Sequence, residues 1–179
     1  MDAEVARDRI LQAARTQFAE RGFADTSLAD IGAEVGLTRG AVLYHFGSKE
    51  RLLQELLAPF VEGLDAELTR LERLSPTPSR AHALDVILEL FVTSRAGADL
   101  LARDISARAA TGLDAWVTSR LTRLVHVLSG TDTPTPVDEV RALAAIGAMI
   151  RPLAVLPPGR IGAAQRGAIR DAARAALGI

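Results

Sequence analysis

Apolar residues recur along this chain at helical spacing almost throughout. Ile10, Ala14 and Phe18 lie four apart, which predicts a helix from about Val5 to Arg21 that Gly22 ends. Asp25-Thr26-Ser27 offers N-cap oxygens, and Ser27-x-x-Asp30 fits a short capping box before Leu28, Ile31 and Val35. Gly36 closes that two-turn helix, and Thr38 is placed to cap another short one through His45. Gly47-Ser48 interrupts the chain again, with Ser48 as the next cap. From there Leu52, Leu53, Leu56, Leu57, Phe60, Val61, Leu64, Leu68 and Leu71 hold one stripe to about Leu74. Pro59 lies inside this helix, so a kink is expected there.

Pro76-Thr77-Pro78 marks a linker, after which Leu84, Ile87, Leu88, Phe91 and Val92 form a regular amphipathic helix. A weaker helical segment spans about Ala98 to Ala110 before Gly112. Leu113, Trp116, Val117, Leu121, Leu124, Val125 and Leu128 make another stripe, and Gly130 to Pro136 is a loop. Val137 to about Leu156 is apolar on nearly all sides, which requires cover on all sides. After Pro157-Pro158-Gly159 comes a last helix with Ile161, Ile169, Ala172, Ala173, Ala176 and Leu177 on its inward face. The fold class is therefore all-α: a three-helix unit over 1–47, then a larger helical unit over 48–179.

Composition narrows the chemistry. The chain of 179 residues has no cysteine, which excludes disulfides, thiol nucleophiles and cysteine metal sites. Its formal net charge is −1, so nucleic-acid binding has to come from a local patch. No apolar run approaches a bilayer span and the first residues are too charged for a signal peptide; a soluble, cytoplasmic protein with no membrane partner is expected. His45, His82 and His126 show no metal-ligand spacing, and neither a GxSxG elbow, a Walker lysine nor a GxGxxG loop is present. The sequence predicts neither an enzyme nor a metal or other cofactor.

The informative stretch is 27–46, SLADIGAEVGLTRGAVLYHF. Two short helices about a tight turn at Gly36 make a helix-turn-helix pattern, whose second helix would enter a major groove by Thr38, Arg39, Gly40 and Ala41. The plainer reading is three packed helices with a glycine ending one of them. Against it, no acidic residue occurs from Val35 to Lys49, while Arg39, His45 and Lys49 lie on or beside the second helix.

The segment from Thr26 to Leu57 closely resembles the TetR-family DNA-binding domain at Gly36, Leu37, Thr38, Gly40, Tyr44, His45, Phe46 and Lys49. Phe18, Gly22-Phe23 and Thr26-Ser27 fit upstream, so the resemblance covers about residues 7–57. Leu43 departs from the Tyr, and Gly32 from the Ala, that family members often carry. The resemblance implies double-stranded operator DNA as partner. Arg39 is then the candidate base reader, with a solvated surface arginine as the competing role. Thr38 caps the helix and offers a phosphate contact, and Thr26 and Ser27 stand at a helix N-terminus suited to phosphate. Tyr44 and His45 are candidate phosphate donors, Phe46 a core residue, and Lys49 a phosphate clamp. Arg7 and Arg9 belong by default to a solvated helix face.

For the second unit the resemblance implies a cavity for an unidentified small effector and pairing of the last two helices into a homodimer. Phe60, Phe91, Arg95, Trp116, His126 and Met149 are candidates to line such a cavity, or to be plain core. The expected function is a ligand-responsive homodimeric repressor on a near-palindromic operator. The alternative is a helical dimeric scaffold with a degenerate helix-turn-helix. Residues 1–58 carry seven basic and nine acidic side chains, a net −2 that favours the alternative.

Overall fold

The computed structural model describes residues 3–74, 79–157 and 161–179, and every regular element among them is helical. In chain order these are α1 (Ala3–Arg21), α2 (Leu28–Glu34), α3 (Arg39–Phe46), α4 (Lys49–Glu72) and α5 (Arg80–Thr93). There follow α6 (Arg95–Arg103), α7 (Ile105–Thr111), α8 (Asp114–Ser129), α9 (Pro136–Val155) and α10 (Ala163–Leu177). The expected all-α class holds. The linker read at Pro76–Pro78 and the break at Pro158-Gly159 lie outside the described residues.

Two boundaries differ from the sequence reading. The single weak segment from Ala98 to Ala110 is two helices, because Asp104 leaves the helical path and caps α7 by accepting the Ala107 N–H. One side-chain oxygen stops a helix and starts another, which apolar spacing cannot register. Pro136, read as loop, is the first residue of α9, where its missing N–H costs nothing. α4 runs unbroken through Pro59.

The chain divides into two compact units, residues 1–59 with 100–114, and residues 60–99 with 115–179. In the first, α2 packs on α3 and α1. Ile10, Phe18, Ile31, Val42, Phe46, Leu52 and Leu53 fill its core, and the Phe18 and Phe23 rings meet at 5.4 Å. Segment 100–114 completes that core with Leu101 and Ala107. In the second, α9 packs along α10, and α5 lies against both. Ala142, Ala145 and Ala173 are fully buried, so small side chains set the close α9–α10 approach. Polar ties reinforce it: Arg80 donates to the carbonyls of Leu128 (3.0 Å) and Leu177 (2.6 Å), and Arg174 to Asp85 (2.7 Å). Asp65 on α4 accepts from Trp116 (3.1 Å) and twice from Arg120 (2.5 and 3.0 Å) on α8.

Candidate nucleic-acid interface

Each short helix of the N-terminal unit is held at its ends by side-chain or glycine chemistry. Ser27 accepts from the Asp30 N–H while the Asp30 carboxylate accepts from the Ser27 N–H, a complete capping box. The Ser27 hydroxyl and the Ser27 N–H both donate to the Asp30 carboxylate and hold it below its ordinary pKa. Gln17, buried on α1, donates to the Asp30 carbonyl (3.2 Å) and the Glu34 carboxylate (2.5 Å), tying α1 to α2. Gly36 turns the chain at φ +72°, a conformation closed to most side chains, and the Thr38 hydroxyl caps α3 through the Ala41 N–H at 3.2 Å.

Gly32 answers a question the sequence raised. A Cβ at this buried position would lie 2.7 Å from the Leu37 carbonyl oxygen and 3.3 Å from the Thr38 carbonyl. The glycine therefore lets α2 and the turn approach each other, and the Leu37 N–H bonds the Gly32 carbonyl at 2.8 Å. Gly32→Ala is expected to lower stability by roughly 1–3 kcal/mol, because overpacking against backbone outweighs the gain of about 1 kcal/mol in helix propensity. Denaturant unfolding checks this, and a more stable variant would contradict it.

The N-terminal turn of α3 stands free. Thr38, Arg39 and Gly40 are exposed, Ala41 is half-buried, and Tyr44 further along is 85% exposed. His45 is half-buried beside Tyr44, the two rings meeting edge to face at 5.5 Å. Phe46 turns inward as expected, 3% exposed. A shallow groove of about 450 Å³ runs beside the helix, lined among others by Thr26, Ser27, Arg39, Leu43, Ser48 and Lys49. Two acids, Asp25 and Glu50, share its rim.

Two of the expected phosphate contacts are occupied otherwise. Thr26 is 1% exposed, and its hydroxyl is in contact with the Gly22 (2.8 Å) and Gln17 (3.3 Å) carbonyls. The Lys49 ammonium donates to the carbonyls of Phe23 (2.8 Å) and Thr26 (2.9 Å), reaches that of Ala24 at 3.5 Å, and sits 4.2 Å from the centre of the Phe23 ring. An ammonium has three donors, and all three are directed at backbone. Arg9 is exposed and Arg7 half-buried, as a partly solvated helix face, and both also hold partners within the unit. Arg7 pairs with Glu55 and lies over Phe46, and Arg9 donates to the Val35 carbonyl at the end of α2. Sequence reasoning also missed Asp104, whose carboxylate accepts the Phe23 N–H at 2.7 Å. No local signal pointed to it.

All six cavity candidates belong to the second unit. Phe60 and Phe91 meet with ring centres 5.9 Å apart, and a Cβ on Gly97 would fall 2.8 Å from the Phe60 Cβ, the packing of a core. Met149 is fully buried on α9. Arg95 donates to the Leu156 carbonyl, Trp116 belongs to the Asp65 network, and His126 is half-buried in the last turn of α8.

Among the described residues no group of histidine and carboxylate side chains is arranged to hold a metal ion, and no helix is long and apolar enough to cross a membrane. The family model for bacterial regulatory proteins of the tetR family matches residues 10–56. Over 88 residues, 49% of this chain, the sequence is 33% identical to the transcriptional repressor KstR2 of Mycolicibacterium smegmatis, covering 40% of that protein. Over 56 residues, 31% of the chain, it is 46% identical to the transcriptional regulator TtgR of Pseudomonas putida, covering 27% of it. The matches thus span less than half of the length of either relative. The fold likeness extends further: the ketosteroid transcriptional regulator KstR2 of Mycobacterium tuberculosis superposes with a TM-score of 0.74 at 20% identity, over 97% of this chain and 93% of that one. These relatives are transcriptional regulators. Over residues 10–56 the chain is thus similar in sequence to the tetR family of bacterial regulatory proteins.

Proposed function

We propose that this protein is a sequence-specific DNA-binding transcriptional regulator, a homodimeric repressor of a near-palindromic operator that a small effector releases. The observation that carries this reading is the α3 N-terminal turn. Thr38, Arg39 and Gly40 are exposed at the start of a capped helix, in a stretch free of acids from Val35 to Lys49. Arg39 presents a planar fork able to pair with guanine O6 and N7, and Gly40 and Ala41 allow the helix to lie close to base edges. Tyr44 and His45 follow on the same helix as phosphate donors. Residues 1–47 are assigned to DNA and 48–179 to the effector and to pairing.

Pairing is supported by α9, where Val137, Val140, Leu143 and Val155 are 58%, 66%, 44% and 65% exposed. Gly147 on α9 and Gly167 on α10 have open space where a Cβ would stand. A glycine inside a helix costs about 1 kcal/mol against alanine, so the chain's own packing offers no return for either. Close approach of a second copy does. For the effector, displacement of α4, the helix that starts at Lys49, is the route by which it weakens DNA binding, with Pro59 inside that helix as the hinge. By reciprocity, operator DNA then weakens effector binding by the same factor.

Two-fold protein symmetry demands half-sites whose centres lie about 34–36 Å apart, or a multiple. The test is a mobility shift with a duplex that the protein enriches from a random pool, before and after inserting about five base pairs between half-sites, which turns one of them by half a helical turn. Affinity is expected to collapse. An unchanged shift refutes the paired mode, and failure to enrich any duplex favours the interaction-module reading instead.

A further inference from the structure

The corner between α1 and α2, residues 22–26, has no regular structure of its own and yet sets where α2 begins. Its polar atoms are held from three directions. Thr26 closes it internally through the Gly22 carbonyl, and Lys49, first residue of α4, grips the Phe23 and Thr26 carbonyls. The third hold comes from far along the chain: Asp104 Oδ2 accepts the Phe23 N–H at 2.7 Å. Gly22 turns the chain there at φ +85°, a conformation that favours glycine, and the Asp104 oxygen lies against it. The peptide groups flanking Phe23 are thus pinned on one side to the α6–α7 corner and on the other to α4.

The two oxygens of Asp104 have separate tasks. Oδ1 caps α7 by accepting from the Ala107 N–H (2.9 Å) and the Ser106 hydroxyl (2.6 Å), which leaves Oδ2 for Phe23. A carboxylate offers acceptors on both oxygens, whereas an amide offers one acceptor and one donor. Burial raises the Asp104 pKa, but the Phe23, Ser106 and Ala107 donors outweigh it and hold the carboxyl below its ordinary value.

We propose that Asp104 is a positioning residue for DNA binding, latching the α1–α2 corner so that α2, and α3 packed on it, present the Arg39 turn in a fixed pose. The inference rests on the DNA-binding function proposed above and adds to it a residue outside the 10–56 family segment. Asp104 touches no DNA and acts through the Phe23 N–H. Its loss therefore loosens the reading unit without removing a phosphate contact.

Two variants of the full chain separate the tasks. Asp104→Ser keeps an oxygen able to cap α7 and lacks the reach to Phe23. Asp104→Asn keeps the shape but supplies one acceptor for two places. Both are expected to bind the duplex enriched by wild-type protein about tenfold more weakly, as befits loss of one charge-assisted hydrogen bond that preorganises the site. Helical content and the dependence of affinity on salt should stay as in wild type, because no counterion-releasing contact is lost. The Phe23 amide should shift in the NMR spectrum and exchange faster. Wild-type affinity in Asp104→Ser, a reduced salt slope, or an unaltered Phe23 amide overturns the latch. If both variants unfold, Asp104 is a folding residue and the positioning role is wrong. Should wild-type protein enrich no duplex, the DNA-binding reading falls and the latch with it; failure of the latch alone leaves that reading intact.

Discussion

Val140→Asp is expected to convert the protein from dimer to monomer and to abolish operator binding while leaving each chain folded. Val140 is 66% exposed on α9, so the protomer's own core does not need it. In a two-fold pair built on the α9 and α10 faces it becomes buried, and each copy of the variant brings a carboxylate into that contact. An unpaired ion taken out of water costs several kcal/mol even after relaxation, and symmetry imposes the cost twice. Interfaces of this obligate kind bury roughly 2,000 Å² or more and draw their stability from apolar area, so that penalty is decisive. Sedimentation of wild type and variant measures it, with far-UV circular dichroism to verify that the helices persist. A monomeric wild type, or a dimeric Val140→Asp of unchanged dissociation constant, removes the pairing claim. Cutting the chain after Leu156 is a poorer test. Ala173 and Leu177 of α10 are fully buried and the Leu177 carbonyl is held by Arg80, so the truncation strips the protomer's own core whether or not it dimerises.

Arg39→Ala and Lys49→Ala should fail in different ways. Arg39 is exposed in the first turn of α3, and its removal is expected to relax preference at one base pair per half-site, at roughly 1–3 kcal/mol per contact. Thermal stability should scarcely change, since the residue is exposed. Lys49 was expected from sequence to clamp phosphate, which would lower the log-affinity against log-salt slope by about two for a dimer. With the ammonium spent on the Phe23 and Thr26 carbonyls and stacked on the Phe23 ring, the slope should instead hold and the chain should lose stability. Leaving partly buried carbonyls without a donor costs roughly 1–3 kcal/mol, and the cation–π contact adds about 0.5–1 kcal/mol. Salt titrations on the enriched and a scrambled duplex, together with thermal melts, separate the two. A Lys49→Ala chain that melts like wild type and shows the reduced slope restores the phosphate clamp. If Arg39→Ala leaves sequence preference untouched, α3 does not read bases by that residue.

The helices of the N-terminal unit, the caps at Ser27 and Thr38 and the turn at Gly36 were legible in the sequence because each is decided within a few residues. Ser27 with Asp30, Thr38 with Ala41 and the glycine at φ +72° are local contacts, and local contacts leave a spacing that can be recognised. The same holds for the exposed α3 turn, since an acid-free run after a capping threonine is itself a pattern. What the tertiary structure alone decided lies between residues far apart. A lysine at the start of a helix looks the same in sequence whether it meets a phosphate or a carbonyl from the preceding corner. Gly32 reads as a weak point in a helix until the Leu37 oxygen is found 2.7 Å from where its Cβ would be. Asp104 sits 81 residues from the Phe23 amide it accepts, and nothing about an aspartate between two short helices announces that partner. Periodicity records which face of a helix is buried; it carries no information on which distant backbone group a polar side chain reaches, because only the packed chain brings them within a hydrogen bond's length.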